Sequence, residues 1–482
     1  MSVIDLIIFI VYMLVMLGVG VYFLRKNEGQ DDYFVGGRNI GSWHIGLSVV
    51  ATDVGGGFSV GLGGLGFVMG MSGSWMLFTG LLGAWLAAVY LIPKVKSNPA
   101  FQKFYTLPQI FKYLFDEKVG IMAALICFIG YLGFTSSQLL AGAKLASGTI
   151  QGLSLPLALT IMGVIAVVYT TIGGLKAVIY TDTVQWIILL LGFILIGLPY
   201  SYYYVGGWEA IKSSLPEEMF SLTNLRWQDF FNWCITILPI WFVGMTLYQR
   251  IFACRDEKSA KKAWYIAGFF EWPIMAFMGV SLGVLARVAF EQGLLVGAEE
   301  GMDPEMGLPI LLSTVLPVGL MGLMMSAYFS AVLSTADSCL MAASGNLSTD
   351  IFGKWLKNKP QKLVMRYSQM FTLAIGIIAL GIALQMTNVL DLMLYSYAFM
   401  VSGLLVPILG GLFWNLRSPS AALASMLVGG GVTVFLSLWT PLPLDLDPNF
   451  FGLLGSFAVF LLINKINNKK NISNKNKKKV YV

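Results

Sequence analysis

Residues 51–57, Ala-Thr-Asp-Val-Gly-Gly-Gly, are the stretch of this chain that says most about its fold. They lie in the middle of the apolar segment 42–70, which is otherwise long enough to cross a bilayer. Consecutive glycines favour unwinding of a helix, and irregular backbone at membrane depth is tolerated only where it is buried in protein or lines a cavity. The alternative is a close helix–helix contact made by small residues. Because Asp53 adds a rare intramembrane carboxyl group, the stretch predicts a binding site in an interrupted membrane helix.

The composition is that of a polytopic membrane protein. Of the 482 residues, 57% are hydrophobic and 12% are charged, and the mean hydropathy is +0.75. These values exclude a large soluble domain. The four cysteines and the single histidine show no metal-like spacing, so neither a disulfide framework nor a transition-metal site is expected. The net charge of +6 is explained by membrane topology, and it gives no indication of a nucleic-acid partner.

Hydropathy predicts an all-α, multi-pass protein of the cell membrane with about 13 transmembrane helices. Numbered in chain order, the predicted spans cover residues 3–24, 42–69, 73–95, 119–150, 155–172, 173–204, 228–250, 262–290, 315–347, 364–385, 388–414, 418–439 and 449–467. With the N-terminus outside, most of the 31 Lys and Arg residues fall on the cytoplasmic side, as the positive-inside rule requires. The C-terminus is then cytoplasmic.

Spans 2–6 and spans 7–11 form two sets with opposite topology, which is typical of inverted repeats. Span 2 is interrupted by its glycines, so span 7 is expected to be interrupted too, and it contains Pro239 and Gly244 at mid-depth. The chain therefore divides into a first helix and loop (1–41), a first five-helix repeat (42–204), an extracellular loop (205–227), a second five-helix repeat (228–414), two C-terminal helices (415–467) and a disordered basic tail (468–482).

Span 9 carries a second group of oxygen ligands. Ser334 and Thr335 are adjacent hydroxyls near mid-membrane, and the carbonyl of Ala331 lies one turn earlier on the same side. Together with free carbonyls from the broken span 2, they would supply the oxygen ligands that a hard cation such as sodium prefers. The alternative is that both hydroxyls bond back to the preceding turn of their own helix.

Several motifs, in order and nearly end to end, resemble the sodium:solute symporters, a family with sodium–glucose, proline, pantothenate, sialate and choline carriers. They are Asp32–Arg38, Ala51–Gly57, Gly173-Gly174-Leu175, Tyr180–Gln185, Gln249-Arg250 and Leu333–Ser338. The resemblance implies a LeuT-type fold of 5+5 inverted repeats and sodium-driven symport by alternating access. It implies a sodium site made by carbonyls of Ala51, Val54 and Ala331 and hydroxyls of Ser334 and Thr335, with Na+ as the co-transported ion.

Three acids are candidates for coupling. By the resemblance, Asp182 is the span-6 acid associated with sodium coupling or its release; its alternative role is that of a helix-start residue near the cytoplasmic interface. Asp337 follows the hydroxyl pair of span 9. Asp53 occupies a position that varies among the family's carriers and could hold either a substrate amine or sodium.

The expected substrate is a small zwitterionic or cationic nitrogen compound, such as proline, choline or betaine, because a lone midplane acid and aromatic side chains suit a charged nitrogen. A sugar or carboxylate substrate, or proton coupling, is the alternative. Candidate substrate-binding residues are Asp53, Gly55, Gly56, Tyr131, Ser136, Ser137, Gln138, Trp241, Gly244 and Tyr397. Ser136, Ser137 and Gln138 have interhelix hydrogen bonding as an equal alternative.

Two charged residues within spans have no obvious role. Lys144 is expected to snorkel to the outer interface, with contact to an anionic substrate group as the alternative. Glu271 is expected to form a salt bridge.

An enzyme would need a catalytic constellation, and no nucleophile motif or metal spacing is present in the sequence. A channel fits paired broken helices less well than a carrier does. The protein is expected to work as a monomer in the lipid bilayer.

Overall fold

The computed structural model describes residues 2–26, 30–150, 152–439 and 442–480. Within these ranges the chain is helical, and its β-structure is limited to an isolated bridge between Ile40 and Cys254. The α-helices, in chain order, are α1 Val3–Lys26, α2 Gln30–Val35, α3 Ser42–Met69, α4 Trp75–Leu86, α5 Ile92–Lys96, α6 Leu107–Leu114, α7 Glu117–Thr149, α8 Leu155–Gly192, α9 Leu198–Tyr204, α10 Gly207–Ser214, α11 Trp227–Val243, α12 Met245–Ala253, α13 Glu257–Phe269, α14 Ala276–Glu291, α15 Pro304–Val315, α16 Leu320–Gly345, α17 Gly353–Leu356, α18 Gln361–Ala383, α19 Val389–Leu412, α20 Pro419–Ser437 and α21 Pro448–Val480.

Short π-helical and 3₁₀ segments join several of these helices without a loop. The π-helical segments are Ala87–Leu91, Phe193–Gly197, Phe270–Met275 and Asn346–Ile351, and the 3₁₀ segments are Gly70–Ser74, Pro99–Lys103, Glu217–Phe220 and Pro443–Asp445. Over the described part of the chain, 8 helical stretches are long and apolar enough to cross a membrane, and the bent pair α11 and α12 raises the number to 9. The polytopic, all-α prediction is therefore confirmed, and the count of about 13 spans stays a prediction.

The structure differs from the sequence prediction in three places. Helix α8 continues from Leu155 to Gly192 across the boundary drawn between spans 5 and 6, since packing against α1, α7 and α16 overrides the low helix propensity of its glycines. Helix α21 runs on to Val480, into the segment expected to be disordered, because no proline or glycine follows Gly455 to stop it. Residues 481 and 482 lie outside the described residues. Helix α15 precedes span 9 as a separate element.

Helices α3 and α16 form the centre of the molecule. Helix α3 packs against α8, α13, α14, α15 and α16, and α16 packs in addition against α1 and α7. From Met324 to Gly345 every residue of α16 is buried. A membrane helix that is rich in small residues and hydroxyls, as α16 is, can approach its neighbours closely on all sides.

Both predicted interruptions are present. In α3 the backbone leaves the helical region at Gly55, whose φ is 21° and ψ is −163°. Only glycine suits this position, because a Cβ there would overlap the side chain of Thr335. Helices α11 and α12 meet at Gly244, whose ψ is 114°, and their axes differ by 41°. The free backbone groups that these breaks create lie within the protein, as a membrane requires.

Candidate functional site

A small cavity lies where the break in α3 faces α16. Its lining includes Ala51 and Val54 of α3, and Ala331 and Ser334 of α16, with Gln185 closing the side formed by α8. The volume open to the centre of a water-sized sphere is about 10 Å³, which is room for roughly one water or one small ion. Four of the five residues predicted to bind sodium therefore line one cavity.

Thr335, the fifth predicted sodium residue, bridges the two helices. Its hydroxyl oxygen, Oγ1, lies 3.0 Å from the carbonyl oxygen of Ala51 and 3.3 Å from that of Ala331, and it donates to them. The alternative that Thr335 bonds to the preceding turn of its own helix is thus partly correct, since Ala331 lies one turn earlier in α16. The other bond crosses to the broken helix and brings hydroxyl and carbonyl oxygens together beside the cavity.

Asp182 is buried in the interior of α8 and does not begin a helix. Ser334 Oγ donates to its Oδ1 at 2.5 Å, and Ser48 of α3 donates to its Oδ2. The carboxylate therefore contacts Ser334, one of the two hydroxyl residues that the sequence placed at the sodium site. This contact joins the proposed coupling acid to the cavity through one side chain.

Arg250 has a role that the sequence analysis did not predict. Its side chain is fully buried, and Nη2 lies 3.3 Å from Asp182 Oδ2. The guanidinium also donates to the hydroxyls of Ser48 at 3.0 Å and Ser338 at 2.8 Å, and to Thr52. A buried ion pair with several hydrogen bonds holds four helices together. The one available signal was the Gln249-Arg250 motif close to the broken span.

Asp337, the third candidate coupling acid, contacts Thr170 of α8. Thr170 of α8 donates to its Oδ1, and the same hydroxyl donates to the carbonyl of Ala166 at 2.9 Å. The side chain of Asp337 is buried. It lies on the α16–α8 contact, and its coupling role stays a prediction.

Asp53 lies two residues before the break in α3. Its Oδ1 accepts a hydrogen bond from the Tyr397 hydroxyl at 3.1 Å, and Tyr397 packs edge-on against Phe134 at 4.9 Å between ring centroids. The structure therefore brings together two predicted substrate residues, one from α3 and one from α19. Aromatic rings beside a carboxyl group can bind a charged nitrogen.

Tyr131 supports the break between α11 and α12. Its hydroxyl accepts from the backbone N–H of Thr246 at 3.1 Å and lies 3.1 Å from the Thr246 hydroxyl. The first N–H groups of a helix have no partner within that helix, so Tyr131 satisfies one that the break at Gly244 exposes. Both predicted substrate residues, Tyr131 and Gly244, thus lie at the same interruption.

The remaining polar candidates of α7 bond within their own helix. Ser136 Oγ donates to the carbonyl of Leu132 at 2.9 Å, and Ser137 Oγ donates to that of Phe134 at 2.8 Å. Gln138 Nε2 lies 3.2 Å from Ser137 Oγ. Such bonds are common for serine in a membrane helix, and the substrate and interhelix roles of these three residues stay predictions.

Gly56 and Trp241 pack closely against neighbouring helices. A Cβ at Gly56 would overlap Val332 of α16, and a Cβ at Gly83 of α4 would overlap the indole of Trp241. Trp241 is fully buried and contacts Trp264 at 6.4 Å between ring centroids. The contacts of Gly56 and Trp241 are those of tightly packed helices, and their substrate roles stay predictions.

Lys144 does not snorkel to the interface. Its side chain is 1% exposed, and Nζ lies 2.5 Å from both Asp303 Oδ2 and Glu305 Oε2. Glu305 also accepts from the backbone N–H groups of Val389 and Leu390, each at 2.9 Å. The prediction was wrong because the acids come from α15 and its N-cap, whose approach to α7 the sequence does not reveal.

Glu271 forms no salt bridge within the described residues, so that prediction was wrong as well. It is fully buried. Its neighbour is a second acid, because its carboxyl group interacts with that of Asp53. A sequence shows that an acid is buried but not which side chain it meets.

A family model described as "Sodium:solute symporter family" matches residues 33–429. The chain belongs to the sodium:solute symporter family. The symporter is 28% identical to the "Sodium/proline symporter" of Salmonella typhimurium over 477 aligned residues. The alignment covers 95% of this chain and 93% of that protein. It is 26% identical to the "Osmoregulated proline transporter OpuE" of Bacillus subtilis, with 94% and 92% covered.

The same fold is found in a solved structure of a Na+-coupled sialic acid symporter in a substrate-bound outward-open state. The TM-score is 0.79 at 21% identity, with 96% of this symporter and 98% of that chain covered. Family membership makes the protein a sodium-coupled transporter of a small solute, with sodium as the co-transported ion.

Proposed function

We propose that this symporter imports a small zwitterionic or cationic nitrogen compound together with sodium, and that Ala51, Val54, Ala331, Ser334 and Thr335 bind the ion. The observation that carries the proposal is the small cavity between the break in α3 and the hydroxyls of α16. Carbonyl and hydroxyl oxygens are suitable ligands for a hard cation. A discontinuous helix at mid-membrane is where such carriers hold their ions.

The solute binds beside the ion, near Asp53 and the break at Gly244. Support comes from the Tyr397–Asp53 hydrogen bond and from the Tyr131 contact with Thr246. Both compared relatives are named as proline carriers, and proline is a zwitterionic secondary amine. Gly55, Gly56, Trp241 and the polar group Ser136–Gln138 complete the proposed surroundings of the solute.

Coupling follows from a difference in affinity between conformational states. Sodium binding draws the carbonyls of α3 and the hydroxyls of α16 together and favours the outward-open state, to which the solute then binds. Asp182 senses the ion through Ser334, and Arg250 balances the charge of Asp182. Asp337 contributes by fixing α16 against α8.

For the architecture we propose 13 spans with a 5+5 inverted-repeat core, an extracellular N-terminus and a cytoplasmic C-terminus. The interruptions at Gly55 and Gly244 support this proposal, because they fall in the corresponding spans of the two halves. We propose that a monomer in the lipid bilayer is the working unit.

The test is uptake of labelled L-proline into proteoliposomes driven by a sodium gradient, with potassium as the control ion. The double variant Ser334→Ala, Thr335→Ala is expected to raise the sodium concentration for half-maximal uptake about tenfold or more, since each lost hydrogen bond to a charged group costs roughly 1.5–3 kcal/mol. Ser326→Ala is the matched control, because Ser326 lies in α16 and bonds only to Gly322 among the described residues. Unchanged sodium activation in the double variant would refute the site.

A further inference from the structure

Helix α1 precedes both proposed repeats, yet it packs against α8 and α16, two of the helices that line the ion cavity. Many of its apolar side chains are exposed, as suits a helix that faces lipid. The side chains that contact α8 or α16 include Asp5, Phe9, Tyr12 and Met16. Their spacing of three or four residues places them on one face of α1. This face is the protein-facing side of the helix.

Asp5 anchors this face at the start of α16. Its Oδ1 accepts hydrogen bonds from the backbone N–H groups of Gly319 at 2.7 Å and Gly322 at 2.9 Å. The first N–H groups of a helix have no partner within that helix, so Asp5 satisfies two of them. A Cβ at Gly322 would overlap the backbone of Asp5, and one turn further along Phe9 packs edge-on against Phe329 at 5.5 Å between ring centroids. The two helices are therefore in close contact.

Tyr12 binds a hydroxyl group of α16. Ser330 Oγ donates to the hydroxyl oxygen of Tyr12, and Ser330 is fully buried. Ser326, one turn earlier in α16, instead donates to the carbonyl of Gly322 at 2.7 Å. A bond of the second kind, from a serine to the preceding turn of its own helix, often bends a membrane helix. Tyr12 thus gives Ser330 a partner outside α16.

The residues that this face of α1 contacts lie next to the ion cavity. Ala331 directly follows Ser330 in the chain and lines the cavity. Gln185 of α8 lines it too, and its Nε2 donates to Met16 Sδ at 3.6 Å. The side chain of Gln185 also interacts with the Tyr12 hydroxyl. Helix α1 therefore contacts both the α16 side and the α8 side of the cavity from outside.

We propose that Tyr12 is a positioning residue for sodium binding, because it holds the Ser330 hydroxyl and so keeps the carbonyl of Ala331 at the cavity. This inference rests on the proposed function, in which Ala331 binds the ion. Without the Tyr12 hydroxyl, Ser330 Oγ bonds back to the carbonyl of Ser326, and the bend that follows moves the next turn of α16 relative to α3. Tyr12 acts through Ser330 and makes no contact with the ion.

The experiment measures sodium binding by thermal unfolding of the purified full-length protein, since a ligand that binds the folded state raises the unfolding temperature. Sodium replaces potassium at constant ionic strength, and the rise in unfolding temperature gives the apparent Kd of sodium. Tyr12→Phe is expected to raise this Kd roughly three- to tenfold, the effect of one hydrogen bond. The unfolding temperature in potassium is a separate readout, which a merely structural role would lower without changing the Kd.

Variants of Ser330 test the route by which Tyr12 acts. Ser330→Ala has no hydroxyl that could bond back to Ser326, so its sodium Kd is expected to stay close to that of the wild type. For the same reason, the double variant Tyr12→Phe, Ser330→Ala is expected to bind sodium more tightly than Tyr12→Phe alone. The matched control is Tyr203→Phe, because Tyr203 lies in α9 and is 87% exposed. Its sodium Kd is expected to equal that of the wild type.

Three results would overturn the inference: an unchanged sodium Kd in Tyr12→Phe, a raised Kd in Ser330→Ala, or a double variant that binds sodium no better than Tyr12→Phe. The last two would show that back-bonding by Ser330 is not the cause. Each single variant is a separate test, so the other decides the matter if one does not fold. Absence of any sodium effect on the wild type would instead refute the proposed function, and this inference with it.

Discussion

Gly55 combines two constraints at one residue. Its φ of 21° is strained for any side chain, and a Cβ would overlap Thr335. We expect Gly55→Ala to destabilise the protein by about 1–2 kcal/mol or more from backbone strain alone and to abolish sodium-dependent uptake. Thermal unfolding and uptake in proteoliposomes would measure both effects.

Gly431 provides the control for this substitution. It lies in α20, and nothing would lie within 4 Å of an added Cβ. Gly431→Ala is expected to leave transport unchanged and to stabilise the helix by about 0.5–1 kcal/mol. If both variants transported normally, Gly55 would have no special role at the cavity.

At the scale of elements, Lys144 holds α7, α15 and α19 together through Glu305. Glu305 pairs with Lys144 and also accepts two backbone N–H groups at the start of α19. Lys144→Ala leaves a buried carboxylate without its cation, so we expect a loss of about 3–5 kcal/mol in the free energy of unfolding. Thermal unfolding in detergent is the measurement.

Lys112→Ala is the matched control for Lys144→Ala. Lys112 lies 3.5 Å from Glu117, and both side chains are exposed. An exposed ion pair contributes about 0–1 kcal/mol, so this variant should unfold close to the wild-type temperature. Equal shifts in the two variants would show that the Lys144 pair is no stronger than a surface contact.

Hydropathy predicted most of the long helices to within a few residues, as α7 and α19 show, because the bilayer fixes their length and composition. The breaks at Gly55 and Gly244 were predictable from glycine and proline in apolar segments. Partners were harder to predict. Arg250 and Asp182 are far apart in the sequence, and Glu271 meets Asp53 across a helix interface. Such contacts depend on tertiary packing, which no local pattern encodes.

On the scale of the whole molecule, α3 connects the sites. It supplies carbonyls to the cavity, Asp53 to the hydrogen bond with Tyr397, and Ser48 and Thr52 to the buried Arg250 network. A shift of α3 relative to α16 or α8 therefore changes all three sets of contacts together. Closely packed helices move between discrete arrangements more readily than they deform, which suits a carrier with alternating access.

This arrangement predicts reciprocal coupling between ion and solute. Sodium is expected to lower the apparent Kd of the solute by roughly 5–150-fold, and the solute must lower the Kd of sodium by the same factor, because both numbers measure one coupling free energy. Titration of each ligand at zero and saturating concentrations of the other, followed by thermal unfolding, gives both factors. The measurement requires no gradient, so it reports binding and not transport. Two independent Kd values would mean that the cavity and the proposed solute site at Asp53 do not share α3 as a moving element.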